Sequence, residues 1–314
     1  MARYLVRRLG FILFTMLLAS VIIFSITQLM PGDVAQMIAG RWATPEALAK
    51  LRSDMGLDRP AYIQYLDWIS HFVTGDWGKS LSTGSEAAPL VLGRLRNSAM
   101  LAGLAFVFYV PLGVLLGVVA ALKRDRLVDQ LITALSMAFV GLPEFVSGLL
   151  LIGFVALGLG WLPANSSIDP GASFGEALPQ LVLPAIAVSL TSLGYVARMT
   201  RSGTIEVLKT DYVRVAHLKG LPRSQVLVKH VLRNALLPTV TVVAMGVGWL
   251  IGGLIVTEAV FGYPGLGRLL VYGIQRRDLV LIQACSMVII TVYSVSNLAA
   301  DILYGWLNPR IRLG

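Results

Sequence analysis

Charge is scarce in this chain. Only 14% of its 314 residues are Asp, Glu, Lys or Arg, and 56% are hydrophobic. A soluble domain is closer to one quarter charged. Cysteine is nearly missing: Cys285 stands alone inside an apolar run, which excludes an intrachain disulfide. The three histidines, His71, His217 and His230, lie far apart and give no metal-ligand spacing. No nucleophile–base pair is recognisable. One stretch, Gly75-Asp76-Trp77-Gly78-Lys79-Ser80, imitates a phosphate loop, but the pattern G-x-x-x-x-G-K-[ST] needs glycine where Val73 stands. Gly246-x-Gly248 follows no strand and is not a dinucleotide fingerprint. These absences exclude a disulfide scaffold and a P-loop ATPase, and they leave no metal site or catalytic centre to propose.

Long apolar runs are what the chain has instead, with a mean hydropathy of +0.75. A helical span needs about 20 mostly apolar residues. Six runs qualify: Gly10–Met30, Ala99–Leu122, Asp129–Leu159, Leu178–Ala197, Thr239–Val260 and Leu279–Leu303. The third is longer than a bilayer requires, so tilt is expected there. The first has a basic start but is too long for a signal peptide, and Leu29-Met30-Pro31-Gly32-Asp33 is not a cleavage site. The expectation is an all-α membrane protein with six transmembrane helices in a single domain, 1–314.

Lysine and arginine give an orientation. Arg3, Arg7 and Arg8 precede the first run, and Lys123, Arg124 and Arg126 separate the second from the third. Eight bases from Arg198 to Arg233 separate the fourth from the fifth, and Arg310 and Arg312 follow the sixth. The Pro31–Ser98 loop is balanced, with seven bases and seven acids, and Trp161–Ala177 has no base. Both termini are therefore expected in the cytoplasm, with 31–98 outside. The net charge of +9 reads as topology, because bases spread over four inner segments do not form a nucleic-acid face.

The outer loop carries helix signals. Thr44 is placed to cap a helix with Pro45 at its first position, and Pro60 opens a second. Tyr62, Ile63, Tyr65, Leu66, Trp68, Ile69 and Phe72 give that second helix a broad apolar stripe, expected to pack on the protein itself. Gly113-x-x-x-Gly117 and Gly248-x-x-x-Gly252 set small residues on one helix face. They read either as close-packing motifs or as ordinary glycine enrichment in spans.

The segment Asp211–Pro238 is basic, amphipathic and polar, yet flanked by spans. Such a loop most simply presents helices to a soluble partner. Thr210 or Asp211 can cap a short helix ending near Lys219, Gly220 can take a left-handed C-terminal conformation, and Pro222 stops continuation. Ser224 can cap a second helix to about Leu236. Ala216 and Gly220, four apart, would share a shallow docking side, with Arg214 and His217 beside it. The competing reading is an amphipathic helix lying on anionic lipid. Acids inside spans are functional candidates because they are costly in hydrocarbon. Glu144, after Pro143, is a pathway candidate or a structural partner of an arginine or backbone group. Glu258 is a second candidate, with Arg268 as a possible ion-pair neighbour, and Asp301 is assigned to anchoring the C-terminal tail.

The loop resembles the EAA loop of ABC-importer permeases, in the form found in the dipeptide/oligopeptide/nickel family. The resemblance extends over nearly the whole chain: ARYLVRRLGFILFTMLLASVIIFSITQLMPGD at the start, MGLDRPAYIQY and GDWGKSL in the outer loop, VTEAVFGYPGLGRLLVYGIQRRD after the fifth run, and NPRIR near the end. Together these look like the upstream subunit of the family. Arg214 falls where the general motif has glutamate, as is usual for the peptide branch. Val215 and His217-Leu218 replace the commoner Thr and Arg-Ala, and Arg276-Arg277-Asp278-Leu279 departs from RDYP. Glu144 stands where family members often carry a neutral residue. The resemblance implies a type I ABC importer permease fold and an inner-membrane location. It also implies a second homologous permease, two ATPase subunits that bind ATP and Mg, and a periplasmic binding protein; the chain itself would hold no cofactor. Asp211, Tyr212, Arg214, Val215, Ala216, His217 and Gly220 would form the ATPase-docking region within 198–238. A secondary transporter or a non-transporting membrane adaptor are the alternatives.

Overall fold

The computed structural model describes residues 2–29, 44–54, 56–168 and 173–307. The Pro31-Gly32-Asp33 motif, Asn308-Pro309-Arg310-Ile311-Arg312 and the end of the first expected span lie outside them. Helices dominate: α1 Ala2–Leu29, α2 Pro45–Asp54, α3 Ala61–Thr74, α4 Ala87–Leu122, α5 Leu127–Gly141 and α6 Glu144–Leu151. α7 Phe174–Leu208, α8 Asp211–Leu218, α10 Leu237–Phe261, α11 Leu266–Arg276 and α12 Leu279–Leu307 complete the long elements. Between α8 and α10, α9 runs Arg223–Ala235, with wide π turns over Val226–Leu232.

Among the described residues four helices are individually long and apolar enough to cross a membrane: Val6–Leu29 of α1, α4, α7 and Leu279–Ile302 of α12. The third and fifth expected spans enter only as parts of bent pairs. Asp129–Leu159 is not one rod, as the composition suggested. α5 and the helix Glu144–Gly158 meet at 109°. The cause is local: Leu142 is extended, at φ −85° and ψ 127°, because a residue before proline is driven out of the α region, and Pro143 then opens α6. α10 is a continuous helix of 25 residues, bent by 51° from α9 before it.

Two compact units are distinguished, Met1–Arg96 with Gly265–Ser294, and Asn97–Pro264 with Val295–Gly314. In the first, Ala47 N–H donates to Thr44 Oγ1 at 3.3 Å, so Thr44 caps α2 as its sequence suggests. Part of the α3 stripe packs on the protein. Phe24 of α1 meets Tyr65 edge-on and Trp68 at a tilt, and the series continues through Phe72, which stacks on Trp77. Ser20 and Tyr65 share a hydroxyl hydrogen bond of 2.9 Å, while Tyr62 and Leu66 of the same helix stay exposed.

The phosphate-loop look-alike serves this unit as a turn. Gly75 and Gly78 take φ of 88° and 76°, and Ser80 is delivered to Asp278, whose carboxylate Oδ2 accepts Ser80 Oγ at 2.6 Å, Ser82 N–H at 2.9 Å and Ser82 Oγ at 2.8 Å. Oδ1 accepts Leu281 N–H at the start of α12. Burial alone pushes the Asp278 carboxyl up, but these donors outweigh it, so it titrates below the usual aspartate range. The sign follows: a depressed folded-state pKa means stability present above the unfolded value near 4 and lost as pH falls through the folded value. Asp278→Asn is expected to loosen the 78–86 hairpin and to remove the acid sensitivity of its protection. Proteolysis near Lys79 between pH 7 and pH 3 measures both. Equal acid sensitivity in wild type and variant would refute the assignment.

In the second unit α7 is the central element. Ser173 and Glu176 form a capping box at its start. Gly113 and Gly117 of α4 lie directly on α7: a Cβ at Gly113 would stand 2.7 Å from Val196 Cγ1, and one at Gly117 2.5 Å from the Ala197 carbonyl oxygen. That pair is a close-packing motif. Gly252 meets nothing within 4 Å and does no such work inside this chain. Gly194 against α5 and Gly203 against the Ala235 carbonyl repeat the pattern, each with a would-be contact of 2.5 Å.

Candidate coupling and translocation site

α8 follows α7 after only Lys209 and Thr210. Thr210 occupies the N-cap position but does not cap; its hydroxyl donates back to Val207 O at 2.6 Å. At the other end Lys219 is the last half-helical residue and Gly220 turns left-handed at φ 76°. Gly220 N–H bonds His217 O at 3.0 Å and Leu221 N–H bonds Ala216 O at 3.4 Å, the pair of reversed bonds that closes a Schellman motif. α9 then starts at Arg223 behind Pro222, so Ser224 is inside the helix and does not cap it. Pro222, extended at ψ 144°, takes the N-cap position, so the helix starts two residues earlier than the hydroxyl suggested.

Val213 and Ala216 point inward, where they join Val226, Val231 and Ala235 in a buried cluster with Leu208 and Leu221 against it. Ala216 is therefore an anchor of α8. It does not share a docking face with Gly220, which is exposed and meets nothing within 4 Å of its Cβ direction. The outward face carries Tyr212, Val215 and Leu218, exposed by 42%, 46% and 80%. These positions are three apart, so they form one apolar stripe along the helix. Leu218 was missed by sequence reasoning; the period of three from Tyr212 is the signal that finds it. Asp211, Arg214 and His217 flank the stripe and are exposed. The Arg214–Asp211 contact is long, at 3.9 Å, and highly exposed, so it holds neither side chain firmly. Tyr212 is fixed by Asn234, whose amide donates to its hydroxyl at 2.9 Å.

A second feature sits nearly three helical turns before α8. Arg201 on α7 grips Asp129 on α5 in a bidentate pair, Nε to Oδ1 at 2.6 Å and Nη2 to Oδ2 at 2.7 Å. Asp129 also accepts Asp125 N–H at 3.0 Å and Thr133 Oγ1 at 3.3 Å. Its side chain is 3% exposed and that of Arg201 28%. An acid in the first turn of an apolar helix is costly unless paired, which is the sequence signal for this contact. Next to Arg201 on α7, Thr200 shares a buried hydroxyl hydrogen bond of 3.0 Å with Thr239 of α10.

Glu144 stands at the first position of α6, just after the break, with its carboxylate over Gly253 of α10; a Cβ at Gly253 would overlap it. Among the described residues it has no ion pair or hydrogen bond. The N-terminal end of α6 favours its negative charge. Glu258 is different. It is fully buried and accepts Ser98 Oγ at 2.5 Å, in an interior where Tyr263 donates to Asn97 O at 2.7 Å. The structure thus seats Glu258 in packing, away from any open face of this chain.

Apolar helices of spanning length, interrupted by a helix whose exposed stripe is braced from within, define a multi-pass membrane protein. Residues 113–313 match the model of the binding-protein-dependent transport system inner membrane component, and residues 1–102 match the model of the N-terminal part of such components. The di/tripeptide transport system permease protein DppB of Pseudomonas aeruginosa is 36% identical over 99% of both chains. The glutathione transport system permease protein GsiC of Salmonella typhimurium is 35% identical over 99% of both. The probable peptide ABC transporter permease protein y4tP of Sinorhizobium fredii is 35% identical over 99% of this chain and 100% of that one. Two solved structures share the fold: an amino acid ABC transporter with histidines, at 20% identity over 71% of this chain and 94% of that one with TM-score 0.50, and the inward-facing MetNI methionine ABC transporter, at 17% over 71% and 96% with TM-score 0.53. The chain belongs to the binding-protein-dependent transport system inner membrane component family. It is a peptide-family ABC importer permease subunit with the type I fold, a multi-pass protein of the inner membrane.

Proposed function

We propose that this permease imports peptides or a related small solute, paired with a second homologous permease and driven by two ATPase subunits that dock on α8. The observation that carries the docking half is the exposed Tyr212–Val215–Leu218 stripe on a helix anchored by Val213 and Ala216. ATP and Mg belong to the ATPase subunits, which hydrolyse ATP, and this chain performs no covalent chemistry. A periplasmic binding protein delivers cargo to the 31–98 side, and both termini with the 198–238 loop face the cytoplasm. The bias of lysine and arginine supports that orientation. Differential contact of α8 with the two ATPase states then shifts the permease between inward- and outward-facing forms.

Glu144 is the pathway residue of this reading: an acid without an ion pair among the described residues at a helix break favours cargo with a positive end, such as a peptide amino terminus. The test is uptake by the purified complex reconstituted in proteoliposomes. Wild-type uptake should require ATP. Glu144→Gln should lower uptake of a cationic dipeptide relative to a neutral one by about fivefold while leaving assembly unchanged. Uptake driven by an ion gradient without ATP would make the protein a secondary transporter. Binding without uptake would make it an adaptor.

A further inference from the structure

Tyr109 of α4 is fully buried, yet its hydroxyl has no hydrogen-bond partner among the described residues. An unmade hydrogen bond in an interior is costly, so such a group calls for an occupant. The hydroxyl lies across from Gly246 of α10, where a Cβ would stand 3.4 Å from it. Between them is a cavity of about 170 Å³ lined by Tyr109, Ser192, Tyr195, Val196, Val242, Met245 and Gly246. It lies within the second unit, inside the apolar lengths of α4, α7 and α10. Its chemistry is specific. Val196, Val242 and Met245 make the walls apolar, the three hydroxyls are its only side-chain polar groups, and no charged side chain lines it. Met245 and Tyr195 are 66% and 37% exposed, so the cavity opens on a face that this chain leaves uncovered.

Resting on the transport reading above, we propose that this cavity is a cargo subsite of the permease, selecting a neutral apolar or aromatic side chain whose adjacent carbonyl accepts the Tyr109 hydroxyl. Hydrocarbon cannot be the intended occupant, since an acyl chain offers no acceptor to a hydroxyl placed at this depth. A charged side chain is disfavoured, because nothing in the lining would pair with it. The volume takes a single side chain with its carbonyl, so the subsite reads one residue of the cargo and leaves the rest to other contacts. Gly246 keeps the cavity open, and a larger residue there would fill it.

The test compares two probes, the dipeptides Ala-Phe and Ala-Lys, taken up by the complete reconstituted complex with one unchanged binding protein. Any change in the ratio of the two uptake rates then originates in the permease. Tyr109→Phe keeps the ring and removes the hydroxyl; Gly246→Leu fills the space. Each variant is expected to lower the Ala-Phe to Ala-Lys ratio, by about fivefold for the lost hydrogen bond and more for the filled cavity, with Ala-Lys uptake preserved. An unchanged ratio in normally assembled variants overturns the subsite. Failure of Gly246→Leu to assemble with the second permease, together with an unchanged ratio in Tyr109→Phe, makes the cavity a seat for a partner side chain and overturns it as well. If wild-type complex carries neither dipeptide, the peptide-transport reading itself fails, and the subsite with it.

Discussion

Gly220→Trp should insert normally and yet lose at least about nine-tenths of cargo-stimulated ATPase activity and uptake. Gly220 sits at φ 76°, where an L residue costs about 1–2 kcal/mol. Among the described residues nothing lies within 4 Å of its Cβ direction, so room for a side chain is open there. The effect therefore comes from two sources. The Schellman closure made by Gly220 and Leu221 is strained, which tilts α8, and the indole projects from the exposed end of the helix beside Leu218. Gly220→Ala carries the strain without the bulk and should be intermediate. Expression, membrane yield and size-exclusion profile separate a coupling defect from a folding one. Wild-type uptake by normally expressed Gly220→Trp would remove this loop as the coupling element.

Arg201→Ala is expected to destabilise the second unit strongly. Removing one partner of a buried ion pair strands the other charge, which costs about 3–5 kcal/mol when both are buried. Arg201 keeps 28% of its side chain exposed, so about 2–3 kcal/mol is the better figure here. The pair fastens the start of α5 to the last turns of α7, just before α8, so its loss should also weaken the link between α8 and the helices beyond it. The double variant Asp129→Asn with Arg201→Gln leaves no stranded charge and should recover part of the melting temperature. A melting temperature unchanged in Arg201→Ala, or a double variant as poor as the sum of the singles, would contradict this account.

Much of this molecule was legible in its sequence because hydrocarbon imposes so few choices. Long apolar runs could be little else than membrane helices, and Thr44, Gly220 and the α3 aromatics Tyr65, Trp68 and Phe72 behave as local rules require. The failures share a cause: each depended on which way a residue faces. Ala216 and Gly220 are four apart, but the helix ends between them, so they do not share a face. Asp129–Leu159 reads as one long run because hydropathy does not register the turn at Leu142 and Pro143. Glu258 and Glu144 look alike in sequence; only packing separates an acid satisfied by Ser98 from one lying on a glycine. Asp129 signals that it needs a partner but not that the partner is Arg201, and nothing local marks the Tyr109 hydroxyl, which is unpartnered among the described residues.

The central claim is that the outward stripe of α8 is a protein-docking surface, and its direct competitor is a helix lying on lipid. Photo-crosslinking from p-benzoylphenylalanine in place of Leu218, the most exposed member of the stripe at 80%, decides between them in the intact complex in native membranes. The docking account predicts one dominant protein adduct containing an ATPase subunit, altered in yield by ATP, and no such adduct from the same probe at buried Val213. Adducts with lipid alone, in a complex that still transports, would contradict it.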